Sequence, residues 1–163
     1  MRFCVAAAAI LACASALKLP NAIDSNMVLA RAPLTPRLWG WANASEDVIV
    51  TLDGTTSVTA TAAENGTWIV DLPAQQAGHG HEITVTGART PDAPVTLTNI
   101  AFGDVYLCSG QSNMQFSVND AFNASAEIAD SSNYPDLRFY TIKLTTADTP
   151  QVSHPNHPAA TDR

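Results

Sequence analysis

Residues 27 to about 100 are cut into short runs in which apolar and polar side chains alternate, with turn-forming residues between the runs. Val48, Val50 and Leu52 alternate with Ile49 and Thr51. Val58, Ala60 and Ala62 alternate with threonines, and Trp68, Val70 and Leu72 with Ile69 and Asp71. A period of two sends successive side chains to opposite faces of a strand, so each run offers one apolar face to a core. Asp53-Gly54 and Asn65-Gly66 stand between these runs as hairpin signals, because tight hairpins need residues that tolerate positive φ. Residues 27–29, 37–41, 82–87 and 95–100 supply further short strands, with a loop over 73–80 and a turn over 89–94. Many short strands separated by Gly, Pro and Asn predict an antiparallel β-sandwich over residues 17–100. Trp39, Trp41 and Trp68 are read as core aromatics rather than a sugar-stacking platform, since large aromatics on alternating strands are usually buried.

Beyond Phe102 the pattern changes. Val105, Tyr106, Leu107 and Cys108 form an uninterrupted apolar run, the signature of a strand buried on both faces of a parallel sheet, which would make Cys108 buried and inert. Gly110 permits a sharp turn at its end. Ser112 is then expected at the carboxyl end of the strand, where open α/β sheets place their ligands. Residues 119–130 carry a helical face of Ala121, Phe122, Ser125, Ala126, Ile128 and Ala129, and residues 137–144 read as a second strand. Strand, helix, strand is one βαβ unit, too little to close a three-layer domain. Residues 145–163 are rich in Pro, Thr and His without periodicity. His154 and His157, like His79 and His81, are read as solvated loop residues, and no metal site is expected.

Residues 1–16 read as a secretory leader: Arg2, an apolar run, then Ala14-Ser15-Ala16 as a small-residue cleavage site. The apolar run is too short to span a bilayer, so no membrane association is expected. Cleavage would remove Cys4 and Cys13 and leave Cys108 without a disulfide partner. The formal charge of −7, with basic residues scattered, argues against nucleic acid as a partner. Sequons at Asn43, Asn65 and Asn123 fit a glycosylated protein of the secretory pathway, extracellular or lysosomal.

The string Gly103-Asp-Val-Tyr-Leu-Cys-Ser-Gly-Gln-Ser-Asn-Met-Gln115 closely resembles the nucleophile block of the sialate O-acetylesterases, a branch of the SGNH hydrolases. Met114 occupies the place of the second glycine in the Gly-x-Ser-x-Gly elbow of ordinary α/β-hydrolases, which argues against that fold. The resemblance extends to Ser25-Asn-Met-Val-Leu, Leu38-Trp-Gly-Trp-Ala and Gly66-Thr-Trp-Ile-Val-Asp-Leu-Pro, similar to the β domain of those esterases. Ala30 departs from the glutamine expected after Val-Leu.

This resemblance implies a β-sandwich followed, from residue 101 to 163, by the start of an incomplete three-layer α/β domain. It makes Ser112 the nucleophile and its backbone N–H an oxyanion donor, with Gly110 and Asn113 supporting the turn. The implied substrate is an acetylated sugar of the sialic acid class, and serine acyl transfer needs no cofactor. The family's further oxyanion donors and its Asp-x-x-His block are not recognisable; Asp148, His154, His157 and Asp162 do not reproduce that spacing. The chain therefore reads as a truncated, inactive esterase. The competing reading is a secreted, glycosylated β-sandwich binding module in which the serine turn is vestigial.

Overall fold

The computed structural model describes residues 17–142 and 146–151. The leader, His154, His157, Asp162 and residues 143–144 of the second strand of the βαβ unit lie outside them. The strands in chain order are β1 (Val28–Ala30), β2 (Arg37–Trp41), β3 (Asp47–Leu52), β4 (Thr56–Thr61), β5 (Thr67–Asp71), β6 (Gly78–Gly87) and β7 (Thr90–Gly103). They form a curled five-stranded sheet, ordered β1-β7-β6-β3-β4, and a two-stranded sheet of β2 and β5. The alternation in the sequence is the alternation of burial. Leu38 from β2, Val48, Val50 and Leu52 from β3, Trp68 and Val70 from β5, and Ile83 and Val85 from β6 all enter one core drawn from both sheets.

Four local features differ from the expected sandwich. First, β1 lies parallel to β7, with Val28, Leu29 and Ala30 opposite Ala101, Phe102 and Gly103, so the sheet is mixed. The long chain between the two strands supplies the crossover that a parallel pair needs. Second, Asp53 and Gly54 do take positive φ and the Thr55 N–H donates to the Leu52 carbonyl at 3.1 Å, but the strands close on Leu52 and Thr56 with three residues between.

Third, the β6–β7 turn is Ala88-Arg89, with Gly87 opposite Thr90, and β7 runs straight through Pro91 and Pro94. Among the described strands, only β6 borders that end of β7, so a proline nitrogen can sit on the open side without losing a ladder bond. Fourth, the pairs His81–Ile100 and Ile83–Leu97 advance two residues on β6 but three on β7. The extra residue is a bulge at which Asn99 adopts φ 55°. It resets the period, so that Leu97, Ile100 and Phe102 are all buried although 97 and 100 differ in parity.

Trp68 is the largest fully buried side chain, and it fits because β2 carries a glycine opposite it. A Cβ on Gly40 would stand 2.8 Å from Trp68 Cζ2 and collide with the Lys18 carbonyl oxygen. That carbonyl accepts the Trp41 N–H at 2.8 Å, and the Lys18 N–H donates back to Trp41, so the backbone there is held on both sides. Trp39 and Trp41 occupy the other face of β2 and are half-buried.

At one end of the core sits a buried carboxylate, Glu46, 2% exposed. Its Oε2 accepts the Asn43 backbone N–H at 3.0 Å and Asn43 Nδ2 at 2.6 Å, and its Oε1 accepts the Arg89 N–H at 2.8 Å. Burial pushes the Glu46 pKa up, but the Arg89 amide, the Asn43 side chain and amide and the nearby Arg89 charge outweigh it and hold the carboxyl below its ordinary 4.5.

A Gly40→Ala chain is expected to lose about 1–3 kcal/mol, the usual cost of overpacking, seen as a lower denaturant midpoint at unchanged slope. For Glu46 the sign follows from its depressed folded pKa: its contribution is present above the unfolded value and is lost as pH falls through the folded one. Urea midpoints measured from about pH 7 to about pH 3 should therefore fall in the acid range, and Glu46→Gln should make that fall shallower while lowering the neutral-pH midpoint.

Candidate active site

The segment that holds Ser112 leaves the sheet where β1 and β7 end side by side. The Arg31 N–H donates to the Gly103 carbonyl at 3.0 Å, and the guanidinium grips Asp104 through Nε–Oδ1 at 2.9 Å and Nη2–Oδ2 at 3.2 Å. The hydrogen bond to Asp104, then its charge, raises the Arg31 pKa above its usual value. Both side chains are substantially exposed, so this fork sets the direction of the chain more than it stabilises the fold. A shallow groove beside it is lined by Ala30, Arg31, Leu34, Asp104, Val105 and Tyr106, without Ser112.

Residues 104–110 have no regular structure, where a buried parallel strand was expected. Tyr106 is 81% and Leu107 87% exposed, and Cys108 is exposed as well. A strand of this type needs a neighbouring strand and a covering layer on each face, and the described residues supply none. The same holds for residues 137–142, which are irregular, with Leu137, Phe139 and Ile142 exposed. The predicted helix over 119–130 is reduced to α1 (Ala124–Asp130), entered from a left-handed Asn123, with a short 3-10 turn at Val118–Asp120 before it. The βαβ unit is thus not formed among the described residues. No described helix is long and apolar enough to cross a membrane.

Ser112 opens a 3-10 turn, Ser112–Gln115, rather than standing at a strand end. The Met114 N–H donates to the Gln111 carbonyl at 2.9 Å, and the Phe116 N–H to the Asn113 carbonyl. A Cβ on Gly110 would lie 2.6 Å from Met114 Cγ, so the glycine lets the methionine fold back over the turn. Ser112 Oγ has no hydrogen-bond partner among the described residues.

Two contacts were not legible beforehand. Arg138 returns to the sheet and donates to the Met27 carbonyl at 3.3 Å, the Asn99 carbonyl and Asn99 Oδ1 at 3.2 Å. Asn99 Nδ2 in turn donates to Asn26 Oδ1 at 2.7 Å. The serine segment is thereby pinned at both ends to the β1–β7 pair. The advance signal was Arg138 itself, a cation set between Leu137 and Phe139. His81, read as a loop residue, belongs to β6; its Nδ1 lies 2.7 Å from Asp53 Oδ2 and its ring meets Phe102 edge-on. The Glu82 amide and then His81 hold the Asp53 carboxyl below its usual range. This acid–histidine pair engages no serine among the described residues. No group of three or more metal-ligating side chains occurs among them either.

The site therefore presents a serine on an exposed turn, carried by a scaffold of two β-sheets. No protein-family model matches the chain. The fold matches that of a carbohydrate acetylesterase from Xanthomonas citri with a TM-score of 0.77 and 27% identity, over 86% of this chain and 31% of that one. Its architecture is that of part of a carbohydrate esterase.

In sequence, the chain is homologous to the sialate O-acetylesterases. It is 36% identical to that of Rattus norvegicus over 132 residues, 77% of this chain and 24% of the rat protein. It is 32% identical to that of Homo sapiens over 132 residues, 77% of this chain and 25% of the human protein. The chain thus spans about a quarter of the length of these relatives. A continuous span covering 77% of 163 residues includes Ser112 wherever it begins.

Replacing Arg138 by Ala should leave the thermal midpoint of the β layers unchanged and increase cleavage between residues 104 and 137 under limited proteolysis read by mass spectrometry, because the clamp lies outside the core.

Proposed function

We propose that this chain is the serine-bearing part of a carbohydrate O-acetylesterase acting on acetylated sugars of the sialic acid class, with Ser112 as nucleophile. The observation that carries the reading is the homology to sialate O-acetylesterases across a span that contains Ser112. Ser112 Oγ attacks the acetyl carbonyl while a histidine takes its proton; the sugar hydroxyl leaves, and water then releases acetate from the acyl-enzyme. The Ser112 N–H supplies one oxyanion donor, Gly110 lets the chain turn before it, and Asn113 holds the turn after it.

The distribution of apolar surface supports the view that this piece works as part of a larger fold. Of the large hydrophobics exposed among the described residues, Leu34, Ile49 and Ile69 belong to the β strands and their connections, and the others fall from Val105 to Ile142. Exposed large apolar side chains so concentrated in one segment suit a stretch that is covered in the complete protein. The general base belongs to what covers it, so the chain alone is inactive. The leader motif and the sequons support a secretory-pathway location, extracellular or lysosomal.

The purified chain should release no p-nitrophenol from p-nitrophenyl acetate above a Ser112→Ala control, since losing the base costs about a millionfold in serine hydrolases. Turnover abolished by Ser112→Ala would overturn the inactive-piece reading. The native gene product should be labelled at Ser112 by a fluorophosphonate, and absence of that label would remove the esterase assignment.

A further inference from the structure

Two of the three sequons lie in the β layers, on adjacent loops: the Ala42 N–H donates to the Gly66 carbonyl at 2.9 Å, joining the Asn43 loop to the Asn65 loop. Their asparagines are in opposite situations. Asn43 is half-buried, and its Nδ2, the atom that would carry a sugar, donates at 2.6 Å to the buried Glu46 carboxylate. The next residues are committed too, with the Ser45 N–H on the Ala62 carbonyl and the Glu46 N–H on the Asn43 carbonyl. Asn65 is exposed. Its Oδ1 accepts the Thr67 N–H at 3.0 Å and the Thr67 hydroxyl at 2.7 Å, which turns the amide nitrogen away from the backbone.

We propose that Asn65 carries an N-linked glycan and that Asn43, despite its sequon, is a structural residue left unmodified in the folded protein. The inference rests on the secretory reading above. The Asn65 Nδ2–C1 bond forms as the C1–O bond of a polyprenyl-diphosphate-linked oligosaccharide breaks; the diphosphate leaves and the amide nitrogen gives up one proton. At Asn43 the same reaction would replace a hydrogen by a sugar beside a carboxylate that depends on its donors. A chain so modified keeps one Nδ2–H but must seat a sugar where the half-buried Asn43 amide closes on a carboxylate 2% exposed, in a loop whose backbone is already bonded, and it fails to reach the native state. Attachment to the unfolded chain therefore does not accumulate in folded material.

The test is expression of the full chain in a eukaryotic host behind a leader the host is known to cleave. Lumenal and secreted folded protein is then treated with peptide-N-glycosidase in heavy-oxygen water and sequenced by mass spectrometry. Label at Asn65 and none at Asn43 is expected. Thr67→Ala should remove one glycan from the electrophoretic mass, and Ser45→Ala none. In bacterially made, unglycosylated protein Asn43→Gln should lower the thermal midpoint, which Ser45→Ala should not. Glycan on Asn43 in folded material, or a bare Asn65 on protein whose leader has been cleaved, overturns the proposal. Retention in the cytosol when residues 1–16 serve as the leader, with Asn65 still modified behind the host leader, would sink the secretory reading alone.

Discussion

The carboxylate of Glu46 is the point on which the β layers are closed. Taking a charge out of water costs several kcal/mol unless hydrogen bonds replace its hydration. Glu46 obtains those bonds from two places distant in sequence, the Asn43 end of the β2–β3 connection and the Arg89 amide in the β6–β7 turn. Gly87 completes the arrangement, because a Cβ there would stand 2.6 Å from Glu46 Oε1. Val48 pairs with Gly87, so the same requirement bears on the register of β3 against β6. The apolar core sets which faces meet; the buried charge bears on how β3 sits against β6.

How much of this could be read beforehand follows from the range of each force. The faces of β3 and β5 were fully visible, since Val48, Val50, Leu52, Trp68, Val70 and Leu72 obey a period of two and are all buried. The bulge at Asn99 was not, because Leu97 and Ile100 share a face only after an extra residue that no local pattern announces. Pro91 and Pro94 suggested a turn because proline cannot donate to a ladder, yet that loses nothing on an unpaired side. The parallel placement of β1 depends on a crossover that a three-residue strand cannot signal.

The serine segment shows the opposite balance. Its motif stands out in the sequence, but what calls for a glycine at Gly110 is the close approach of Met114 and not a positive φ. Its secondary structure was not legible, because an apolar run such as Val105 to Cys108 specifies burial without specifying a partner. Where no partner is at hand the run stays irregular and exposed. Arg138 meets three neutral oxygens, one of Met27 and two of the left-handed Asn99, a contact with no sequence periodicity at all.

The strand beneath that segment, β1, is three residues long and borders only β7 among the described strands. Edge elements with few ladder bonds open by local fluctuation long before a core unfolds. Arg31 and Met27, which hold the two ends of the serine segment, flank that strand. The breathing of β1 therefore loosens one side of each anchor of the segment that carries Ser112, while β7, through Asn99 and Gly103, holds the other.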